Sequence, residues 1–543
     1  MKKLFLFLIA ISSTMNISAQ WTEDIVTTAE LSNYQSTSTY ADVMDVINGL
    51  QQRSELISVE YMGQSPEGKN IPLVIMSDPA ISTPEQAKAS GKPVIYIQGN
   101  IHAGEVEGKE VLQILMREIL LGDKKYLLED QILVFAPIYN TDSNDKMEEG
   151  RRRSQEDSPR EVGMRSNSQG LDLNRDGIKM EADETKALIE NVILRWDPEL
   201  LVDLHTTNGT WHGYSLTWAP SYHYAGEKAP YDLTWNDMLP QVTKNVKEKF
   251  DVYLGPYGGY SLRQGWPPEA IYTYNHHPRY IVNQMGLRNK MGILSEAFAH
   301  ERFYERIRST YAFVHEILEY TSKNGRMMMR INQQAEEEAI RKVREEAGSF
   351  TKGVRFRMVP MDNDFTLRTY EYESYTDEAG EDRFFRKGQI IEIPGVKNYS
   401  RFEATAESRV PRAYLIPKEY RSVVEHIRSQ GAEVKTLKRR TTIDAEVFIA
   451  TEFTLSPRVF EGHNMATVEG KFRSAETAFE AGDYIVDMAQ PLTNLIFYTL
   501  EPKSDDGLVT WNFFDEVFNP LNGQRDEVEY PVYKVYNLEG LTF

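Results

Sequence analysis

His102-Ala103-Gly104-Glu105 and, about a hundred positions later, Asp203-Leu204-His205 place two imidazoles and a carboxylate at the ends of two apolar runs. These are the side chains a catalytic zinc site needs. Zinc binds neutral imidazole nitrogen and carboxylate oxygen, and a catalytic site keeps a fourth position open for water. His102 and Glu105 are three residues apart, so a tight turn or the first turn of a helix can aim both at one ion. Taken alone, that spacing fits a capped turn equally well. The setting favours the metal. The first pair follows the strand-like run Pro93 to Asn100 and precedes a helical pattern, and His205 closes the run Leu200 to Leu204. Ligands at strand ends suit a mostly parallel α/β sheet, where sites form outside the carboxyl ends of the strands.

Three further segments narrow the chemistry. Ala136-Pro137-Ile138-Tyr139-Asn140-Thr141-Asp142 ends an apolar run, Gly170-Leu171-Asp172-Leu173-Asn174-Arg175-Asp176 lies between the two ligand segments, and Gly292-Ile293-Leu294-Ser295-Glu296-Ala297 follows them. In this order the segments resemble the M14 family of zinc metallocarboxypeptidases, the carboxypeptidase A-like enzymes, over roughly residues 35–325. The resemblance implies His102, Glu105 and His205 as ligands of one Zn²⁺ and Glu296 as the general base that activates water. It implies Asn174 and Arg175 as the pair that holds a substrate's free α-carboxylate, and Asp172 as the acceptor behind the first zinc histidine. Physical chemistry agrees: a guanidinium fork matches a carboxylate bidentately, and metal-bound imidazoles usually lean on a second polar partner. Arg175 paired with Asp172 or Asp176 is the competing structural reading.

The chain also departs from the family pattern. Where the family commonly has arginine before the ligand glutamate, this chain has Gly104. Arg151, Arg152, Arg153 and Arg165 are the cations available to fill the space, and Arg153 is the one we match to the arginine that polarises the scissile carbonyl. Tyr272, Tyr274 and Tyr280 all fall near the position of the family's substrate-capping tyrosine, with Tyr274 closest in spacing. His276 and His277 are adjacent, so on regular backbone their rings diverge and they do not read as ligands.

These residues need a scaffold to position them. Glu105 to Leu121, Glu181 to Trp196 and Arg302 to Lys323 carry apolar residues at helical spacing, and they alternate with the strand-like runs. The expected fold is therefore a mixed, mostly parallel sheet with helices on both faces over residues 20–325. Residues 326–349 read as a solvated linking helix, and 350–543 as a β-rich region of unassigned role. Within it, Pro411 to Pro417, the helical stretch Tyr420 to Gln430 and Ala432 to Lys435 form a small α/β element. His463 reads as an ordinary surface or core histidine.

Composition sets the outer bounds. The 543 residues contain no cysteine, which rules out thiolate ligands and disulfides, and the formal net charge of -20 argues against nucleic acid as a partner. Met1-Lys2-Lys3, the apolar run Leu4 to Ile11 and small residues up to Ala19 read as an export signal spanning 1–19, hence a periplasmic or secreted protein. No later stretch is apolar enough to span a membrane. The expected partner is a peptide with a free C-terminal carboxylate. An amidase acting on cell-wall peptides or acylated amino acids, and a non-catalytic binding protein on the same fold, are the alternatives.

Overall fold

The structure, a computed structural model, describes residues 25–207 and 209–543. The expected export signal lies outside the described residues. Besides a two-residue pair, Glu148–Glu149 with Glu161–Val162, the strands of the first part are β1 (Ile57–Gln64), β2 (Asn70–Met76), β3 (Val94–Gly99), β4 (Ile132–Ala136), β5 (Leu200–Thr206), β6 (Leu216–Pro220), β7 (Leu254–Pro256), β8 (Ala270–Tyr272) and β9 (Met291–Ala297). All but β8 join one eight-stranded sheet in the order β1-β2-β4-β3-β5-β9-β6-β7. Its centre, β4-β3-β5-β9, is parallel throughout. Antiparallel pairs flank it, β1–β2–β4 on one side and β9–β6 on the other. Strands β3, β4 and β5 are buried along their whole length, and β9 at all but Glu296, as expected of strands covered on both faces.

Three helices matter for the site: α1 (Glu107–Leu121), α2 (Ile281–Leu287) and α3 (Phe303–Glu346). On one face Val111, Leu112 and Leu115 of α1 share a core with Phe313 and Ile317 of α3. On the other, Ile281 and Met285 of α2 pack with Tyr96 and Leu201 of the sheet. The architecture is the mixed, mostly parallel sheet with helices on both faces that the periodicity predicts.

The linker expectation needs correction. Residues 326–346 are not a separate solvated helix; they continue α3, which runs for 44 residues. Gly325, where helix propensity is weakest, is the point at which Pro93 packs onto the helix: a Cβ there would lie 2.4 Å from Pro93 Cγ. Beyond it Met328, Asn332, Ala335, Ala339 and Val343 are buried, a stripe at three- and four-residue spacing that docks the helix along its length.

The region after 350 is β-rich and carries the expected α/β element, the strand Ala413–Ile416 followed by the helix Arg421–Ser429. It also joins the first part. The long hairpin β10 (Phe365–Thr376) and β11 (Asp382–Tyr399) places β11 parallel to β8, Ala270 opposite Lys397. A separate seven-stranded sheet has its own core around Tyr414, Phe448, Phe497 and Phe514. Among the described residues no helix is long and apolar enough to cross a membrane.

Candidate active site

β3 ends at Gly99, and the chain turns through Asn100, whose φ of 67° is left-handed. The Glu105 N–H donates to the His102 carbonyl at 2.9 Å, closing a tight turn that brings both side chains to one side. α1 begins two residues later and presses on β5 at Gly108, where a Cβ would lie 2.6 Å from Leu204 Cβ. That close approach sets the turn beside His205. On the neighbouring strand β9, Glu296 is in direct register with His205, so the parallel pairing delivers both at the carboxyl edge of the sheet.

The two imidazoles turn their Nδ1 atoms toward Glu105. His102 Nδ1 is 3.1 Å from Glu105 Oε1, His205 Nδ1 is 3.0 Å from Glu105 Oε2, and the two Nδ1 atoms are 3.2 Å apart. Behind each ring stands a carboxylate: Asp172 Oδ1 is 2.9 Å from His102 Nε2, and Asp203 Oδ2 is 2.8 Å from His205 Nε2. A carboxylate accepts, so a proton on each Nε2 satisfies it, and with that tautomer a neutral ring would offer its Nδ1 lone pair to a cation. Asp203 is itself held by Gln98 Nε2 at 3.1 Å, and Gln98 by the Tyr96 hydroxyl at 2.9 Å. Two imidazoles and one carboxylate, with tautomers fixed from behind, are a donor set that fits zinc.

The charges around the cluster are arranged to match. Burial pushes Glu105 up, but the Arg152 guanidinium and His102 overcome it and hold this carboxyl well below the usual range. Burial lowers His205, yet Asp203 and Glu105 raise it well above an ordinary histidine. The field thus favours positive charge between the rings. Glu296 behaves oppositely: burial, with Glu105 adding to it and His205 and Arg152 opposing, raises its carboxyl to about 7.

Around this cluster lies a cleft lined by Arg152, Arg165, Asn174 and Arg175 on its polar side and by Tyr257, Tyr274, Tyr280, Val282 and Leu294 on its apolar side. Residues 43–253 match the sequence model described as zinc carboxypeptidase. Over that segment the chain is similar to zinc carboxypeptidases. It is 22% identical to carboxypeptidase 2 of Trichophyton tonsurans over 87% of this chain and 81% of that protein. It is 32% identical to human (Homo sapiens) carboxypeptidase D over 174 residues, 30% of this chain and 12% of that protein. A metallo-carboxypeptidase from Burkholderia cenocepacia superposes at a TM-score of 0.38 with 16% identity, covering 53% of this chain and 70% of the other.

His102, Glu105, His205, Asp172, Asn174, Arg175, Tyr274 and Glu296 all come to the cleft or its wall. Asn174 Oδ1 accepts from the Ile281 N–H at 3.1 Å, and its Nδ2 is 3.4 Å from His205. Arg175 does not pair with Asp172 or Asp176. Its Nη1 donates to the Asn174 carbonyl at 2.7 Å, and its guanidinium lies 4.5 Å from the Tyr280 ring centre. Tyr274 is packed among Tyr222, Tyr257 and Tyr280 and donates to Asn283 Oδ1 at 3.3 Å.

Arg153 is a correction. It is exposed and does not line the cleft, whereas Arg152 enters it and places Nη1 2.6 Å from Glu105 Oε1. Gly104 explains how. A Cβ at 104 would lie 2.8 Å from Arg152 Cγ and 2.8 Å from the Gly163 carbonyl, so the missing side chain makes the channel through which the Arg152 stem runs. Arg165 joins it, with Nε 3.0 Å from Asp172 Oδ2 and Nη1 3.3 Å from Glu105 Oε1. Two residues escape the sequence reading, and Arg152 stood among its candidate cations without being the one chosen. Asp203 carried a usable signal, because positions two apart on a strand share a face. Tyr257 carried none.

Proposed function

We propose that this protein is an exported zinc metallocarboxypeptidase that removes neutral, apolar or aromatic residues from the C-termini of peptides. The observation that carries the reading is the convergence of His102 Nδ1, His205 Nδ1 and Glu105 beside Glu296. Zinc bound by these three side chains supplies a Lewis acid that polarises a carbonyl and lowers the pKa of water. Glu296 acts as the general base: a carboxyl raised to about 7 can accept a proton from attacking water and return it to the leaving amine near neutral pH. The family match ends at residue 253, so this role rests on the strand register and burial of Glu296.

Arg175 offers its guanidinium, and Asn174 its amide, to the α-carboxylate of the last residue. Arg152 and Arg165 lie across the cleft on the Glu105 side and oppose negative charge developing on the scissile carbonyl oxygen. The apolar wall of Tyr257, Tyr274, Tyr280, Val282 and Leu294 receives the last side chain. The carboxylates lining the cleft are Glu105 and Glu296, both engaged in the chemistry. A basic side chain therefore finds no dedicated counter-charge and would be buried at a cost.

Release of C-terminal amino acids from a mixed peptide library tests this, with C-terminally amidated copies as the control. Release from free-acid peptides alone, led by Leu, Phe and Tyr, is expected. Equal cleavage of the amidated set would overturn the carboxylate-binding role of Asn174 and Arg175, and a preference for Lys or Arg would overturn the reading of the apolar wall.

A further inference from the structure

A second histidine–carboxylate cluster lies where the carboxypeptidase domain meets the C-terminal region. His276 and His277 precede α2, and Asp505 follows the helix Thr493–Leu500; one ligand-type atom from each lies within 4.8 Å of the others. The segment between β8 and α2 is irregular, and the two adjacent rings lie side by side with centres 4.7 Å apart rather than diverging.

The hydrogen bonds define what His276 presents. Its backbone N–H and its Nδ1 both meet Asn275 Oδ1, at 2.9 and 2.7 Å. An atom that accepts from a backbone N–H is the amide oxygen, so Nδ1 carries the proton and Nε2 is left to face Asp505 at 3.2–3.3 Å. Asp505 is fixed from behind. The Tyr498 hydroxyl donates to Oδ1, and the Phe356 N–H donates to Oδ2 at 3.0 Å. Each carboxylate oxygen keeps a lone pair directed at His276. A neutral Nε2 lone pair and a carboxylate repel at this distance unless a cation lies between them, either a second proton or a metal ion.

Phe356 and Phe402 wall the His276 ring at 4.9 and 5.0 Å between centres. His223 lies 5.7 Å from His276 between ring centres, and its Nε2 is buried with no hydrogen-bond partner among the described residues. Two imidazoles and an anchored carboxylate are a zinc-type donor set, and Asn275 plays the part of the polar group that fixes a metal-binding ring. We infer that His276, His277 and Asp505 form a second divalent-metal site, which ties the segment preceding α2 to the C-terminal region. The joint has a mechanical consequence: the same segment carries Tyr274 and Tyr280, which line the cleft, and leads into Ile281, whose N–H holds Asn174.

Zinc content of the full chain, measured by plasma mass spectrometry after equilibration with zinc and desalting, tests the assignment. The wild type is expected to hold two zinc ions, and the double variant His102→Ala/His205→Ala one. Adding His277→Ala to that double variant should remove the remaining ion. His277→Ala alone should reduce two ions to one while peptide hydrolysis persists, a readout that does not depend on the double variant folding. One ion in the wild type and none in a folded double variant would overturn the site and leave a His276–Asp505 ion pair. Zinc that survives His277→Ala in the double variant would overturn it equally.

Discussion

The two histidine–carboxylate clusters use the same side-chain types and differ in what stands behind each ring. In the catalytic cleft each imidazole has its own carboxylate at the far nitrogen, Asp172 for His102 and Asp203 for His205, and the near nitrogens converge to 3.2 Å. At the junction an amide oxygen holds the far side of His276, and one carboxylate, anchored by Tyr498 and Phe356, stands in front of it. The first cluster inherits its geometry from parallel strand register, which places His205 opposite Glu296. The second is assembled from two loops more than two hundred residues apart. Precision in the cleft therefore comes from the sheet, whereas at the junction it depends on how two parts of the chain dock.

The largest expected effect breaks the cleft alone. Glu296→Gln keeps the size of the side chain and removes its basicity, and general acid–base catalysis contributes about 10²–10⁴ in rate. We expect kcat to fall by that factor with zinc content unchanged. A variant that keeps more than about a third of wild-type kcat would displace Glu296 as the base. Next comes the support behind the rings. Asp203→Asn removes the charge behind His205 and leaves one acceptor oxygen for two donors, Gln98 and His205, and such losses typically weaken metal binding about 10–100-fold. Competition with a zinc chelator reads this directly, and unchanged affinity would place the control of tautomer elsewhere.

A smaller effect probes how the cleft gains its cations. Gly104→Ala puts a methyl 2.8 Å from both Arg152 Cγ and the Gly163 carbonyl. Overpacking of this kind costs about 1–3 kcal/mol. Because Arg152 must move, kcat/KM is expected to fall about tenfold, in step with the 1.4 kcal/mol that a tenfold change represents. An Arg152→Ala background should abolish the additional kinetic loss. If Gly104→Ala is equally harmful there, the clash with the Gly163 backbone, not Arg152, is responsible.

How much of this was legible depends on whether neighbours in sequence or neighbours in space decide the matter. His102, Glu105, His205 and Glu296 could be read because each closes a buried strand or the turn after one, where type and position together carry meaning. The helices packing on the sheet were legible from their apolar periodicity. The role of Arg152 rather than Arg153 was not legible, since the member of an arginine triplet that turns inward on irregular backbone is set by Gly104, which lies far away in sequence. The continuity of α3 through Gly325 was hidden for the same reason: Pro93 compensates the weak helix former by packing against it. Adjacent histidines were expected to diverge, an argument that holds for regular backbone and fails in the loop before α2.

The junction also makes the smallest prediction, and one the cleft should not share. His463 Nε2 lies 2.8 Å from Glu181 Oε1, and Lys179 Nζ lies 2.6 Å from Glu181 Oε2, joining the C-terminal region to the carboxypeptidase domain. Burial pushes Glu181 up, but His463 and Lys179 outweigh it and lower its carboxyl from 4.5 to about 2. The Glu181 contact in turn raises His463 above 6.5. A lowered carboxylate stabilises the fold above its unfolded pKa and loses that contribution as pH falls toward 2. A raised histidine contributes fully below its unfolded pKa and is lost as pH climbs through its folded value. The two contributions overlap fully between about pH 4.5 and 6.5. Because the pair is partly exposed, its worth is under about 1 kcal/mol. His463→Gln should therefore lower Tm most near pH 5.5, with the gap closing above neutrality as His463 deprotonates in the wild type. A gap that is flat across this range would mean that His463 holds the junction by packing against Trp511, 5.3 Å away between ring centres, and not by charge.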